Sequence, residues 1–373
     1  MLALTLVRPF RRRPLLALVW LGLLLLAIAA PARAGGGAIA VLPTTGDVDN
    51  VMADYIKGAL DKAARDGDRL AIVELNTLGG SLDSTGRIVS SLLDPPLPVV
   101  VWVGPAGAKA ASAGTFITLA ANLAYMADGT NIGAAAPVDS SGQDIGGTLG
   151  EKVRNDAIAS ITSIAERRGH DVATAVSTVQ DAKSYPASQA VSLHLVNGLA
   201  PDLEAVRAAA DGQEVQVGGR AVKLDLGGAP LEELPMNPFQ GFLHLLSDPN
   251  IAFILFTIGF YGLLFELASP NFVTGILGAL AIILAFVGFG SLPVNVAGLL
   301  LVGLGVILFA LEPHIVSHGA LTLGGLACLV LGAFALYDEP GIPGSQAVGV
   351  ALPVIVVVAA DVSAFALIIT VTA

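Results

Sequence analysis

Charge is scarce in this sequence, and basic charge is missing from its last part. Asp, Glu, Lys and Arg make up 13% of 373 residues; after Lys223 the final 150 residues carry nine acidic side chains and no Lys or Arg. Without a basic stripe to neutralise phosphates, nucleic acid is excluded as a partner. Cysteine is nearly absent as well. Cys328 stands alone inside an apolar run, which excludes an intrachain disulfide and a Cys-based metal site and leaves it a small packing residue. No cofactor and no metal are expected. What the chain has in excess is apolar surface: 54% hydrophobic residues and a mean hydropathy of +0.76. A purely soluble globule does not have that composition, so part of the chain belongs in a lipid bilayer.

The apolar residues are unevenly placed. Arg8 and Arg11 to Arg13, the apolar stretch Leu15 to Ala30 and Ala32-Arg33-Ala34 follow the layout of a secretory signal, predicted over residues 1–34. Residues 35–225 have ordinary soluble composition and the βα rhythm of one α/β domain. Buried strands are predicted at Ala38 to Leu42, Leu70 to Leu75 and Pro98 to Val103, and helices at Asp47 to Ala64, Ala111 to Ala121 and Glu151 to Arg168. Segment 226–249, with four prolines, reads as a linker. From residue 250 the apolar runs lengthen: 251–265, 272–289, 294–311, 321–336 and 347–372. At about 20 residues per crossing they allow four or five spans, the first and fourth being short. The signal places the 35–225 domain on the extracytoplasmic, periplasmic side of the cell membrane.

Three stretches of the soluble domain could carry chemistry. Asn76-Thr77-Leu78-Gly79-Gly80 follows a strand, and a glycine pair there lets backbone N–H groups approach a ligand, although an ordinary tight turn has the same residues. In Ala110-Ala111-Ser112-Ala113-Gly114-Thr115 a serine opens a helix among side chains no larger than methyl. It is accessible as a nucleophile, or it is a cap. Lys152 heads the long helix, where a solvated surface charge is the ordinary reading. A serine nucleophile needs a base, however. His170, His194, His244, His314 and His318 are poorly placed for it, and a lysine serves where burial depresses its pKa.

In combination these stretches, with Gly-Thr-Asn-Ile-Gly-Ala-Ala at 129–135 and Lys-Val-x-Asn-Asp-Ala at 152–157, resemble the NfeD family of membrane-bound ClpP-class serine proteases, the stomatin operon partner proteins. The resemblance continues through Leu264-Phe265-Glu266 with Gly275 and Gly278. It implies a ClpP/crotonase-like α/β core of repeated ββα units, followed by an all-α transmembrane bundle. It further implies a Ser112–Lys152 dyad, with the backbone N–H groups of Gly80 and Ala113 as the oxyanion hole. A stomatin- or prohibitin-like membrane partner, cleavage in hydrophobic segments and a homo-oligomer are implied too. Two departures stand out: Leu78 replaces the proline usual before the glycine pair, and the small OB-like barrel that ends long members is not in the sequence.

Among the acids of the apolar half, Glu266 and Glu312 end their runs close to Pro270 and Pro313 and read as structural, whereas Asp361 falls inside the last run. Rival functions are acyl-thioester chemistry on the same fold, a non-catalytic scaffold for a stomatin-like partner, and a transporter. The absence of any paired basic residue in the spans argues against the last.

Overall fold

The computed structural model describes residues 37–138, 144–268, 272–290, 295–312, 315, 317, 320–336 and 350–360. The expected signal at 1–34, together with His314, His318 and Asp361, lies outside them. The chain runs β1 (Ile39–Thr45), α1 (Asn50–Asp66), β2 (Leu70–Asn76), α2 (Leu82–Leu93), β3 (Val99–Val103), β4 (Lys109–Ala111), α3 (Ala113–Ala120), β5 (Leu123–Met126) and β6 (Asn131–Gly133). It continues with α4 (Gly147–Arg168), α5 (Val172–Gln180), β7 (Ser184–Pro186), α6 (Ala187–Ser192), β8 (Gly198–Leu199), α7 (Leu203–Ala210), β9 (Glu214–Val217), β10 (Arg220–Lys223) and β11 (Leu231–Glu233). Then come α8 (Pro238–Leu246), α9 (Pro249–Ala268), α10 (Val273–Gly290), α11 (Val296–Leu311), α12 (Ala320–Ala335) and a further helix at 352–360.

The main sheet has the order β11-β1-β2-β3-β5-β8, all pairs parallel. Parallel strands are covered on both faces, which is why Val99 to Val103 reads as a continuous apolar run. Alternation then deals the side chains to two cores. Ala71, Val73, Leu75, Val99, Val101 and Val103 face the layer of α1 to α5, while Leu70, Ile72, Val100 and Trp102 face α7 and the β9–β10 hairpin. Each fully buried Leu, Ile or Val stabilises by about 1.5–3 kcal/mol. Trp102 satisfies its indole N–H on the Ala200 carbonyl at 2.9 Å.

All three expected helices shift at their starts: α4 begins at Gly147 rather than Glu151, and the other two move for a local reason. Helix α1 begins at Asn50 rather than Asp47 because the Asp49 carboxylate caps it, accepting from Met52 N at 2.7 Å; Gly67, at φ +78°, ends it. Helix α3 begins at Ala113 rather than Ala111 because Ala111 is held in β4, a strand of a second, smaller sheet of order β4-β6-β7.

The segment expected as a linker is structured. Leu231–Glu233 forms the edge strand β11, and α8 starts with a full capping box between Asn237 and Gln240. Helix α8 exposes Phe239, Phe242 and Leu245 immediately before the apolar helices. The first apolar run was expected to be short, yet α9 has 20 residues and is, among the described residues, the one helix long and apolar enough to cross a membrane. The helix passes through Glu266 because that carboxylate has partners: Oε1 accepts from Phe272 N, and Oε2 from Gly275 N and the Thr274 hydroxyl, capping α10. Glu312 repeats the device at the next hairpin, accepting from the Ser317 hydroxyl and Thr322 N. Both glutamates are structural, as read. Within each hairpin the backbones touch: a Cβ at Gly259 would sit 2.7 Å from the Gly278 carbonyl, and one at Gly305 would sit 2.7 Å from that of Gly325.

Arg168, at the end of α4, is the main tie between helices behind the sheet. It donates to the carbonyls of Leu92 (2.6 Å), Leu93 and Ala120 (2.8 Å), the open ends of α2 and α3. A planar fork reaches all three, and an ammonium does not. Arg168→Lys is expected to lower stability to urea by about 2 kcal/mol, the worth of a charged hydrogen bond. An unchanged midpoint would mean that water caps those carbonyls equally well.

Candidate active site

The two glycine- and alanine-rich turns are built against each other. Thr77 closes the first: its hydroxyl donates to the Gly79 carbonyl (3.1 Å) and accepts from Gly79 N (3.0 Å). Its backbone pairs with β4, Thr77 N donating to Lys109 O and Ala111 N to Thr77 O, while the Asn76 side chain accepts from Lys109 N. Gly114 closes the gap, since a Cβ there would lie 2.8 Å from Thr77 Cγ2. On its other side the same turn is framed by Val48, whose N–H donates to Gly79 O and whose carbonyl accepts from Ser81 N. A parallel bridge of this kind uses the groups flanking Gly80, so Gly80's own N–H faces the side away from Val48. Only glycine fits: a Cβ would sit 2.3 Å from the Val48 carbonyl oxygen. Leu78, in place of proline, is 67% exposed at the tip of the turn.

Ser112 sits at φ +54°, a conformation that costs a non-glycine residue energy and persists only when its surroundings over-determine it. The surroundings do so here. Ser112 N donates to Gly133 O at 2.9 Å, and the fully buried Thr115 hydroxyl is shared between Ala110 O and Gly133 O. Gly133 has to be glycine, because a Cβ would lie 2.2 Å from Lys183 O. Ser112 precedes α3 without capping it. Among the described residues its hydroxyl has no hydrogen bond. The adjacent Ala113, a buried residue at the first position of α3, likewise has an N–H with no acceptor among them. A half-buried hydroxyl beside an uncommitted N–H at a helix start is a geometry suited to attack on a carbonyl with the oxyanion received on the spot.

Lys152 lies in the first half of α4, exposed, and makes no hydrogen bond or ion pair with the described residues. It lines a cleft of about 500 Å³ with Leu82 and Val89 of α2, Phe116 of α3, and Leu149 and Val153 of α4. The cleft reaches Phe116, one turn beyond Ser112, and does not include Ser112; the two side chains make no hydrogen bond. On α4, Ile161, Ile164 and Ala165 are buried, while Val153 and Ala157 are half-buried along the cleft.

Of the histidines, His170 is 8% exposed and its Nε2 lies 3.2 Å from Leu119 O, with burial depressing its pKa to about 4. It is a neutral structural donor far from a base's role. His244 immediately precedes the apolar helices, yet it contacts the α/β domain: Nδ1 meets Asp49 Oδ2 at 2.8 Å and Nε2 meets Thr45 O at 3.1 Å. With nearly 200 residues between the partners, no local pattern could have announced that pair. Thr115 and Gly133 lie inside the motifs at 110–115 and 129–135, and their roles emerge only from the strand pairing.

These features have relatives. The NfeD1b N-terminal domain family matches residues 38–207, and the NfeD integral membrane domain family matches residues 250–372. The membrane-bound protease PH1510 of Pyrococcus horikoshii is 30% identical over 332 residues, 87% of this chain and 74% of that protein. The chain belongs to the NfeD family. A second NfeD relative, the membrane protein NfeD1b of Bacillus subtilis, is 29% identical over 317 residues, 83% of this chain and 69% of that one. Among solved structures, two mutants of 1510-N, a membrane-bound stomatin-specific protease, superpose over their whole length. A serine-to-alanine mutant has TM-score 0.51 at 27% identity over 55% of this chain. A lysine-to-alanine mutant in complex with a substrate peptide has TM-score 0.53 at 26% identity over 58%. The expected architecture, an α/β protease-like domain before apolar helices, is thereby met, and the NfeD chain is a membrane protein.

The structural reading of His170 is open to measurement. Its folded pKa is below the ordinary value of 6.5, so between pH 6.5 and 4 the unfolded chain binds a proton that the folded one refuses. Stability therefore falls as pH drops through that window, by about 3 kcal/mol for a shift of this size. In urea titrations His170→Gln should flatten the slope between pH 6.5 and 4.5; an unchanged slope would place the acid sensitivity elsewhere.

Proposed function

We propose that this NfeD chain is a membrane-anchored serine endopeptidase that cleaves hydrophobic polypeptide segments of a stomatin- or prohibitin-like membrane partner. Ser112 is the nucleophile, Lys152 the general base, and the N–H groups of Gly80 and Ala113 the oxyanion donors. The observation that carries the reading is Ser112 held at positive φ beside buried Ala113, whose N–H has no acceptor among the described residues. Its support from relatives is that the solved 1510-N variants replace one serine and one lysine, the latter with a substrate peptide bound.

In this reading the Ser112 oxygen attacks the scissile carbonyl as its proton passes to Lys152 Nζ. The tetrahedral oxyanion accepts from the two N–H groups, and its collapse expels the amine, which takes the proton back. Water then releases the acyl group by the same steps. The lysine has to be neutral at the outset, which requires it to lose its solvent. In the single chain Lys152 is exposed. The leucines, Val89 and Phe116 around it supply dry walls, and an apolar substrate segment or a second copy of the chain filling the cleft completes the enclosure. A hydrophobic substrate is thus matched to the chemistry of the base. The proposed layout is a signal at 1–34, a catalytic domain at 35–225 outside the cytoplasm, the connecting segment 226–249 and a multi-pass region after residue 250.

A second reading, a non-catalytic scaffold, is favoured by the same exposure of Lys152 and by Leu78 in the glycine turn. Labelling by a fluorophosphonate probe separates the two. Ser112→Ala should abolish labelling and peptide cleavage with the fold intact, and Lys152→Ala should lower both by more than 100-fold, the scale of general-base catalysis. Lys152→Arg should be as inactive, since arginine stays protonated. Lys109→Ala, on the approach strand, should keep activity; loss there with Lys152→Ala active would move the base to Lys109.

Topology is tested independently. Arg220 is exposed on the β9–β10 hairpin, so Arg220→Cys in a Cys328→Ser background should react with a membrane-impermeant maleimide applied from the periplasmic side. Reaction only after lysis would reverse the orientation.

A further inference from the structure

His244 is the only histidine among the described residues whose two ring nitrogens both face acceptors, and those acceptors bracket one turn. Thr45 O and Asp49 Oδ2 stand at the two ends of residues 45–49, the connection from β1 to α1. The imidazole lies against Gly46, where a Cβ would sit 2.9 Å from Nε2. Inside the bracket is Val48, which donates to Gly79 O at 2.8 Å and accepts from Ser81 N at 2.9 Å, framing Gly80. The other Asp49 oxygen, Oδ1, caps α1. His244 itself belongs to α8, a helix packed on α1, α9 and α10, and lies two residues before its end at Leu246, close to the start of the apolar helix α9.

We propose that His244 and Asp49 form a latch by which the juxtamembrane helix α8 positions the Val48–Gly80 pairing, making His244 a positioning residue for the oxyanion turn. The latch deepens the peptidase reading, since Gly80 is an oxyanion donor only there; the latch itself, as a structural coupling, stands apart from it. Its physics is a charge-assisted hydrogen bond, 18% and 6% exposed at the two side chains, which ties a turn with a buried Val48 at its centre to α8. Without it the 45–49 turn keeps Gly46 N on Asn76 O, the Val48 pairing and the bonds of Asp49 to the start of α1, but loses its tie to α8. A glycine turn so framed opens by local fluctuation far more readily than the sheet core does.

The latch is also sensitive to pH. The Asp49 hydrogen bond raises the His244 pKa above its ordinary 6.5, and the Thr45 carbonyl and Asp47 act in the same direction against burial. The groups facing the cluster are Asp49 and Asp47 from the β1–α1 turn and Asp248 from the α8–α9 junction. Helix α10 carries no charged residue, and α9 carries only Glu266, at its far end. A raised folded pKa means that the stabilisation is complete below pH 6.5 and is lost as pH rises through the folded value.

The experiment is hydrogen exchange on the full chain in lipid nanodiscs, read at the Val48 and Ser81 amides with β3 as the internal control. In His244→Ala both amides should exchange about 10-fold faster while β3 stays protected, a coupling of about 1.4 kcal/mol. Asp49→Asn keeps a good helix cap and removes the charge, so it should reproduce the effect, and the double variant should add little to either. The excess protection of the parent over Asp49→Asn should shrink between pH 6 and 9. In peptide cleavage the same variants should lower kcat several-fold with KM unchanged. Unchanged exchange at Val48 and Ser81 in His244→Ala, or additive effects in the double variant, would overturn the latch. Should His244→Ala lose protection in β3 as well, Asp49→Asn decides by the same criterion. If exchange responds as expected but the parent cleaves nothing and takes no probe, the latch stands and the peptidase reading fails.

Discussion

The arrangement rests on one backbone constraint: the β4–β6 edge has to hold Ser112 at φ +54°. An ordinary serine avoids that conformation, so each contact around it has a reason to exist. Gly133 O accepts Ser112 N, the buried Thr115 hydroxyl bridges the carbonyls on both strands, and Gly133 is glycine because the β7 backbone runs where a side chain would be. The result is a hydroxyl that does not cap the helix that follows and a first helical N–H with no acceptor among the described residues. Strain at one residue thus creates the two features that chemistry at a carbonyl requires.

The same edge explains why the glycine turn belongs to the site. Thr77 pairs with Ala110, two residues before Ser112, and Gly114 packs on the Thr77 methyl. Neither turn can move without the other, and Val48 closes the unit from behind. Distances among Ser112, Ala113 and Gly80 are therefore set by strand pairing rather than by flexible side chains, which is the rigidity that preorganised donors need. Lys152 is the exception. It reaches the cleft from an exposed helical half, where no backbone pairing fixes it, and it is the component that a bound chain would have to bring into place.

What the sequence revealed follows from how local each cause is. The buried strands were legible because burial on both faces leaves a continuous apolar run such as Val99 to Val103, and α4 because a 22-residue helix needs a long periodic stretch. The three-residue strands β4, β6 and β7 were not, since their pairing is decided by residues up to 55 positions away and not by their own composition. Ser112 and the glycine pair were found as residue types, but the torsion that makes Ser112 useful has no sequence signal of its own. The 226–249 segment looked like a linker because proline is common there, yet proline is compatible with an edge strand and with the first position of a helix, and Pro238 is that first position in α8.

Carboxylates make the connection between the two halves intelligible. Glu266 and Glu312 each accept the open N–H groups of the helix that follows, so an acid in an apolar hairpin becomes a cap whose partners replace water. Asp49 does the same for α1 and still has an oxygen to spare, which His244 occupies. A helix cap is normally a local matter. Because Asp49 is bifunctional, this cap also receives a helix from the membrane side, and the residue before it frames Gly80. Were Asp49 a serine or threonine, α1 would still begin at Asn50, since either caps well, but the imidazole would lose its carboxylate and keep only the Thr45 carbonyl. The carboxylate at that position is explained by the second partner rather than by the helix it starts.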